Sequence, residues 1–182
     1  EADKIQQSLG YLPGEIAFID SMNGMEFIKF VAKMKNMNGL GRAQELIQMF
    51  ELNASGKLKK MSKGMKQKIG IVCAFMDTNS DILILDEPTS GLDPLMQNRF
   101  VELVLSEKKQ GKTILMSSHM FEEVERTCDR TAIIRAGKLV AVEEIEKLKE
   151  GRQKNIEVTF KDSAMAEAFA TDFPRAAYQA GG

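Results

Sequence analysis

Two adjacent carboxylates, Asp86 and Glu87, close an unbroken apolar run from Ile82 to Leu85, and Pro88 follows at once. A short apolar run bounded by a turn residue predicts a buried strand of a parallel sheet. Acidic groups at the carboxyl end of such a strand lie where open α/β sheets bind ligands. Side chains alternate along an extended chain, so the two carboxylates point to different sides. One can hold a metal ion through water while the other faces a nucleophilic water. Mg²⁺ commonly takes one or two carboxylates together with phosphate oxygens. On these residues alone, metal chemistry and a solvated polar turn both remain open.

The neighbours narrow the choice. Ser90-Gly91-Leu92-Asp93-Pro94 forms a tight polar loop directly afterwards. His119 is the only histidine of the chain and follows Ser117 and Ser118 at the end of a second apolar run, Thr113–Met116. If the two strands are neighbours, His119 lies beside Glu87. A strand-end position after two serines, rather than a place on an apolar helix face, favours a functional histidine. A third feature is the basic stretch Lys57–Lys68, interrupted by Ser62 and Gly64. Behind it Ile69, Val72, Cys73 and Met76 recur at helical spacing, with small Gly70 and Ala74 between them. This predicts a buried helix beginning near Ser62–Met65, and an amino end with a hydroxyl and a glycine suits an anion.

Several elements must hold these residues in place. Ile5, Leu9, Tyr11 and Leu12 suggest a strand running into a turn at Pro13-Gly14. Phe27, Ile28, Val31 and Met34 predict a helix starting at Ser21, with Glu26 nearby. Ala43, Leu46, Ile47 and Phe50 predict a second helix, so residues 21–56 read as a small helical insert. After Pro94 a helix runs through Phe100, Val101, Val104 and Leu105 to Gln110-Gly111. Phe121–Cys128 predicts a helix and Thr131–Ile134 a third strand. Ala136-Gly137 turns into Leu139–Val142, Glu143–Glu150 predicts a short charged helix, Ile156–Phe160 alternates like a half-buried strand, and Ala164–Phe169 suggests a last helix. Strands alternating with helices give α/β with a largely parallel sheet. The formal charge of −1 in 182 residues gives no electrostatic reason to expect nucleic acid. Cys73 and Cys128 lack metal spacing and read as reduced thiols. No apolar run approaches a membrane span.

Taken in order, these segments resemble the ATP-binding subunit of an ABC transporter. MSKGM at 61–65 resembles the family's signature motif, ILILDE at 82–87 its Walker B strand, and SGLD at 90–93 its D-loop. His119 after Ser117-Ser118 resembles its switch histidine, and Leu9-Gly-Tyr-Leu-Pro13 the entry to its Q-loop. One such motif would be weak; the ordered series is specific. The resemblance implies a P-loop NTPase-like fold, a mostly parallel sheet with flanking helices and a small helical subdomain, with ATP and Mg²⁺ as ligands. By it, Asp86 supports Mg²⁺ through water, Glu87 acts as general base or at least orients the attacking water, and His119 contacts the γ-phosphate and senses its loss. Ser62, Lys63 and Gly64 lie at the phosphate of ATP held by a second cassette, and Asp93 works across that dimer interface. Residues 21–56 dock on a transmembrane permease, which places the protein in the cytoplasm, peripheral on the inner face of the membrane. Residues 1–20 are the remnant of the core leading into the Q-loop, 57–150 carry the signature motif and the catalytic core, and 151–182 form an appendage.

The chain also departs from the family. No G-x-x-x-x-G-K-[ST] loop occurs in it. Gly111-Lys112-Thr113 is a decoy, because Ser106 stands where the first glycine is needed and a strand follows instead of a helix. The phosphate-cradling loop is expected upstream of Leu9, so the N-terminal part of the fold is missing. Without it, core surface on Ile82–Leu85 and Thr113–Met116 should be uncovered. The family's commonest signature has Gly and Gln where this chain has Lys63 and Met65, and no Gln follows Leu12-Pro13, where Gly14 and Glu15 stand. Alternatives are an ATPase of the family that acts on ribosomes or DNA, and a non-catalytic module. The former usually carry a second domain with a charged linker or a long coiled-coil insert; neither occurs in these 182 residues, although a longer chain would leave room for the second domain. Glu87 and His119 together speak against the latter.

Overall fold

A computed structural model describes residues 8–150 and 158–173, which fall into two compact units, one up to Thr131 and one from Ala132 onward. In the first unit β1 (Leu9–Leu12) leads to α1 (Gly24–Met34), α2 (Gly41–Met49), a 3₁₀ turn at Leu58–Lys60, α3 (Lys63–Phe75), β2 (Ile82–Asp86), α4 (Pro94–Lys109), β3 (Thr113–Ser117) and α5 (Phe121–Thr127). The strands form one parallel sheet in the order β1-β2-β3. The expected strand at Leu9–Leu12 is present; Ile5 lies outside the described residues.

Alternation along β2 decides which face is covered. Leu83 and Leu85 are fully buried with Leu12, Ile71, Phe75 and Phe100 in a single core. Each such side chain contributes about 1.5–3 kcal/mol by leaving water. The rings of Phe75 on α3 and Phe100 on α4 meet edge to face at 6.0 Å. Gly10 permits the close approach of α3, since a Cβ there would stand 2.3 Å from the Ala74 carbonyl oxygen. The opposite face stays open: Tyr11 is 55% exposed, Ile82 48% and Leu115 65%. The expectation of uncovered core on β2 and β3 therefore holds for alternate residues only, because helices cover the other face.

The helical segment shares this core through Phe27, Ile28, Leu46 and Phe50. It is also tied to the α/β part by polar bonds. Lys35 Nζ donates to the Leu9 carbonyl at 2.7 Å and lies 3.4 Å from Asp77. Arg42 pairs at 2.7 Å with Glu107 of α4. Arg99 donates to the Met49 carbonyl and pairs with Glu51. The helix start falls two residues later than Ser21 suggests. Asn23 is the N-cap, in a capping box in which it accepts from Glu26 N and Glu26 accepts from Asn23 N, both at 2.8 Å.

In the second unit, β4 (Arg130–Arg135), which begins just before the boundary, pairs with β5 (Lys138–Glu144) in a separate two-stranded sheet. Strand Thr131–Ile134 therefore does not extend the parallel sheet. Ala136 and Gly137 both have positive φ, 50° and 71°, as a two-residue hairpin turn requires. Glu143 and Glu144 prolong β5, and the charged helix is the shorter α6 (Ile145–Glu150). Val158–Phe160 is not a strand; Ile156 and Glu157 lie outside the described residues. The last helix, α7 (Ser163–Asp172), is capped by Asp162, and Phe169 packs on Phe160 and Phe173.

Candidate active site

Parallel pairing sets Asp86 level with Ser117 and so brings the carboxyl ends of β2 and β3 side by side. Ser117 Oγ donates to Asp86 Oδ1 at 2.5 Å. The Glu87 N–H donates to the Ser117 carbonyl at 3.2 Å and to its hydroxyl at 3.1 Å. Beyond the strand ends, Glu87 one residue past β2 and His119 two past β3, His119 Nδ1 lies 2.6 Å from Glu87 Oε2. That contact fits a proton on Nδ1 donated to the carboxylate, leaving Nε2 as the ring's other polar atom. The His119 side chain is 75% exposed and that of Glu87 35%. Gly14 closes on the same place: a Cβ there would lie 2.9 Å from Asp86 Oδ2. Glu15, its neighbour, is exposed.

Glu87 has φ of +46°, a left-handed conformation that costs a non-glycine residue about 1–3 kcal/mol. The surrounding bonds hold it there. Gln67, buried on α3, donates from Nε2 to the Pro88 carbonyl at 2.8 Å and the Glu87 carbonyl at 3.3 Å. The backbone of the turn is thus fixed from α3 on one side and from β3 on the other.

A second group forms where α3 begins. Ser62 is its N-cap and accepts from the Met65 N–H at 3.2 Å. Ser62 and Lys63 are exposed. Gly64 packs on the polar loop after β2, since a Cβ there would stand 2.6 Å from the Gly91 carbonyl oxygen. Gly91 takes φ of +79° beside the Lys63 stem. Asp93, exposed at the loop's end, caps α4 by accepting from the Met96 N–H at 3.0 Å. Asp86, Glu87 and His119 therefore form one group and Ser62, Lys63, Gly64 and the Gly91–Asp93 loop another, with Gln67 linking α3 to the first.

Lys112 of the decoy triplet is spent elsewhere: its Nζ lies 2.7 Å from the buried Glu107 carboxylate. Gln67 was missed from the sequence, although a Gln on a stripe with Gly70, Ile71 and Ala74 is the kind of buried polar residue that signals a tertiary bond. Thr89 and Glu123 were missed too, and nothing local marks them. No cluster of three or more metal-binding side chains occurs among the described residues. An exposed carboxylate, Asp86, held by a serine hydroxyl beside Glu87, suits an ion that keeps its waters and takes its other ligands from phosphate, as Mg²⁺ does.

The parallel sheet with a carboxylate pair at the end of β2 makes this an α/β protein, and its likeness to solved ATP-binding cassettes gives the P-loop NTPase fold. Residues 54–123, which hold both groups, match the family profile described as AAA domain, putative AbiEii toxin, Type IV TA system. An uncharacterized ABC transporter ATP-binding protein of Synechocystis sp., sll0415, is 37% identical over 142 residues, covering 74% of this chain and 40% of that protein. The linearmycin resistance ATP-binding protein LnrL of Bacillus subtilis is 36% identical over 147 residues, covering 78% of this chain and 47% of LnrL. A solved structure described as an ATP binding subunit of an ABC transporter superposes with a TM-score of 0.72 at 28% identity, covering 82% of this chain and 64% of that one. The chain belongs to the family of ABC transporter ATP-binding proteins and spans about half the length of these curated relatives.

Proposed function

We propose that this chain is the water-activating part of an ATP-binding cassette that powers transport across a membrane. The observation that carries the reading is the 2.6 Å contact between His119 and Glu87, next to Asp86 at the mouth of a parallel sheet. Glu87 takes the proton of the attacking water as general base. His119 orients Glu87 through Nδ1 and offers Nε2 to the γ-phosphate. Asp86 would hold Mg²⁺ through water, and that ion supplies neutralising charge to the phosphates. Ser62, Lys63 and Gly64, at the positive end of α3, meet the phosphate of ATP bound to a second cassette, with Asp93 at the same dimer interface. Residues 21–56 dock on a transmembrane permease, 57–150 form the catalytic core, and 151–182 are an appendage. The protein then works in the cytoplasm, peripheral on the inner face of the membrane. No helix among the described residues is long and apolar enough to cross it.

No phosphate-cradling loop occurs in these 182 residues, and Tyr11, Ile82 and Leu115 leave one face of the sheet open. A direct test joins the upstream half of LnrL to this chain. The 182-residue chain alone is expected to hydrolyse ATP negligibly, and the joined cassette to do so with Mg²⁺. Clear turnover by the chain alone, or none by a folded joined cassette, overturns the reading.

A further inference from the structure

The turn carrying His119 and the turn carrying Glu87 meet at a second point, away from the ring–carboxylate contact. Glu123 on α5 is buried, and its Oε2 accepts two hydroxyls at once. One is Ser118 Oγ at 2.6 Å, the residue before His119. The other is Thr89 Oγ1 at 3.2 Å, two residues after Glu87. Ser118 Oγ in turn accepts from the Met120 N–H at 3.0 Å, so the hydroxyl bonded to Glu123 also closes the backbone around His119. Thr127 Oγ1 donates to the Glu123 carbonyl at 2.7 Å and fixes this turn of α5. Glu123 Oε1 makes no hydrogen bond among the described residues. Glu123 also lines a pocket of about 140 Å³ with Gln97, Asn98 and Arg126.

We propose that Glu123 is a positioning residue that clamps the His119 turn onto the Glu87 turn. A buried carboxylate is costly in water-free surroundings, and packing alone would be served better by an apolar side chain of the same size. What a carboxylate oxygen adds is one acceptor shared by two donors on different strand exits. Together with Gln67 it holds residues 87–89 from two sides, α3 through the carbonyls and α5 through Thr89. The proposal rests on reading Glu87 and His119 as the hydrolytic pair.

The test uses the ring ¹⁵N spectrum of His119, which is unambiguous because the chain has one histidine. Glu123→Met keeps the bulk and removes the acceptor; Glu123→Gln keeps an acceptor oxygen. The wild type and Glu123→Gln are expected to show a hydrogen-bonded Nδ1–H, and Glu123→Met the averaged tautomers of free imidazole. Where Glu123→Met does not fold, Thr89→Val, which removes only one hydroxyl, should produce the same shift in direction. In the joined cassette, Glu123→Met should lower kcat about tenfold at unchanged KM, with Glu123→Gln restoring it. An unchanged His119 spectrum in folded Glu123→Met or in Thr89→Val, or a loss in Glu123→Gln as large as in Glu123→Met, overturns the proposal. Absence of hydrolysis in every variant, wild type included, overturns the functional reading instead, while the ring spectrum alone still decides the role of Glu123.

Discussion

Replacing Glu107 with Ala should be among the most damaging single changes in the chain. Its carboxylate is 2% exposed and takes two cations, Arg42 Nη2 from α2 and Lys112 Nζ from the residue just before β3, each at 2.7 Å. The cations differ in what they lose. Arg42 remains partly exposed and keeps Glu45 at 2.9 Å, whereas the Lys112 side chain is 8% exposed and is left with its charge unpaired. Breaking a buried pair from one side costs about 3–5 kcal/mol. With an m-value of about 2 kcal/mol/M, the urea midpoint should fall by about 2 M. Glu107→Gln, which keeps the shape but not the charge, should fall between Ala and wild type. Lys112→Met should cost least, because Glu107 keeps Arg42 and the apolar stem is retained. The assay is equilibrium urea unfolding followed by circular dichroism. A loss below about 0.5 kcal/mol for Glu107→Ala would refute the reasoning. So would a loss for Lys112→Met as large as that for Glu107→Ala. The same series shows what Lys112 does: if it is a structural ion-pair partner, Lys112→Met leaves nucleotide affinity of a joined cassette unchanged.

Other consequences are more local. Burial pushes the Cys73 thiol up to about 12, opposed only by the nearby Lys35 charge. A thiolate reagent at pH 8 should therefore label Cys128 alone in the native chain, and equal labelling of both cysteines would contradict the packing of α3. Burial also raises the Glu123 carboxyl above its ordinary range; the bonds from Ser118 and Thr89 and the charge of His119 pull it back, and the charge of Glu87 adds to the rise. A raised folded-state value means stability that is present below the ordinary glutamate range and lost as pH rises through the folded value. Thermal melts should then show Glu123→Gln gaining on wild type as pH rises from 4 to 8; a gain that instead grows toward low pH would refute the assignment.

Much of the site could be read from residue order because it depends on strand ends. Once Ile82–Leu85 and Thr113–Met116 were neighbouring parallel strands, Glu87 and His119 had to emerge together. The start of α3 at Ser62 was legible for a similar reason: a cap and the first apolar positions are local features. Other parts were set by tertiary partners. Ser21 and Asn23 are both good caps, and the choice fell to Asn23, whose neighbours Gly24 and Met25 bond the carbonyls of Gly56 and Ala54. Val158–Phe160 alternates like a strand, but alternation makes one only where a partner edge is available. The second sheet could not be foreseen because apolar strands carry no mark of which sheet they join. Glu123 is a polar residue on a helix, where solvent-facing and buried roles look alike in sequence, whereas Gln67 shares a buried stripe with Gly70, Ile71 and Ala74 and was legible in principle.

The central claim is that Glu87 activates the attacking water. It is tested most directly by Glu87→Gln in the cassette that joins the LnrL upstream half to this chain, with ATPase rate and oligomeric state measured together. General-base catalysis predicts a fall of about 100-fold or more in the rate. The account also predicts that ATP stays bound and a dimer accumulates. Hydrolysis at the parental rate by the Glu87→Gln cassette would contradict it.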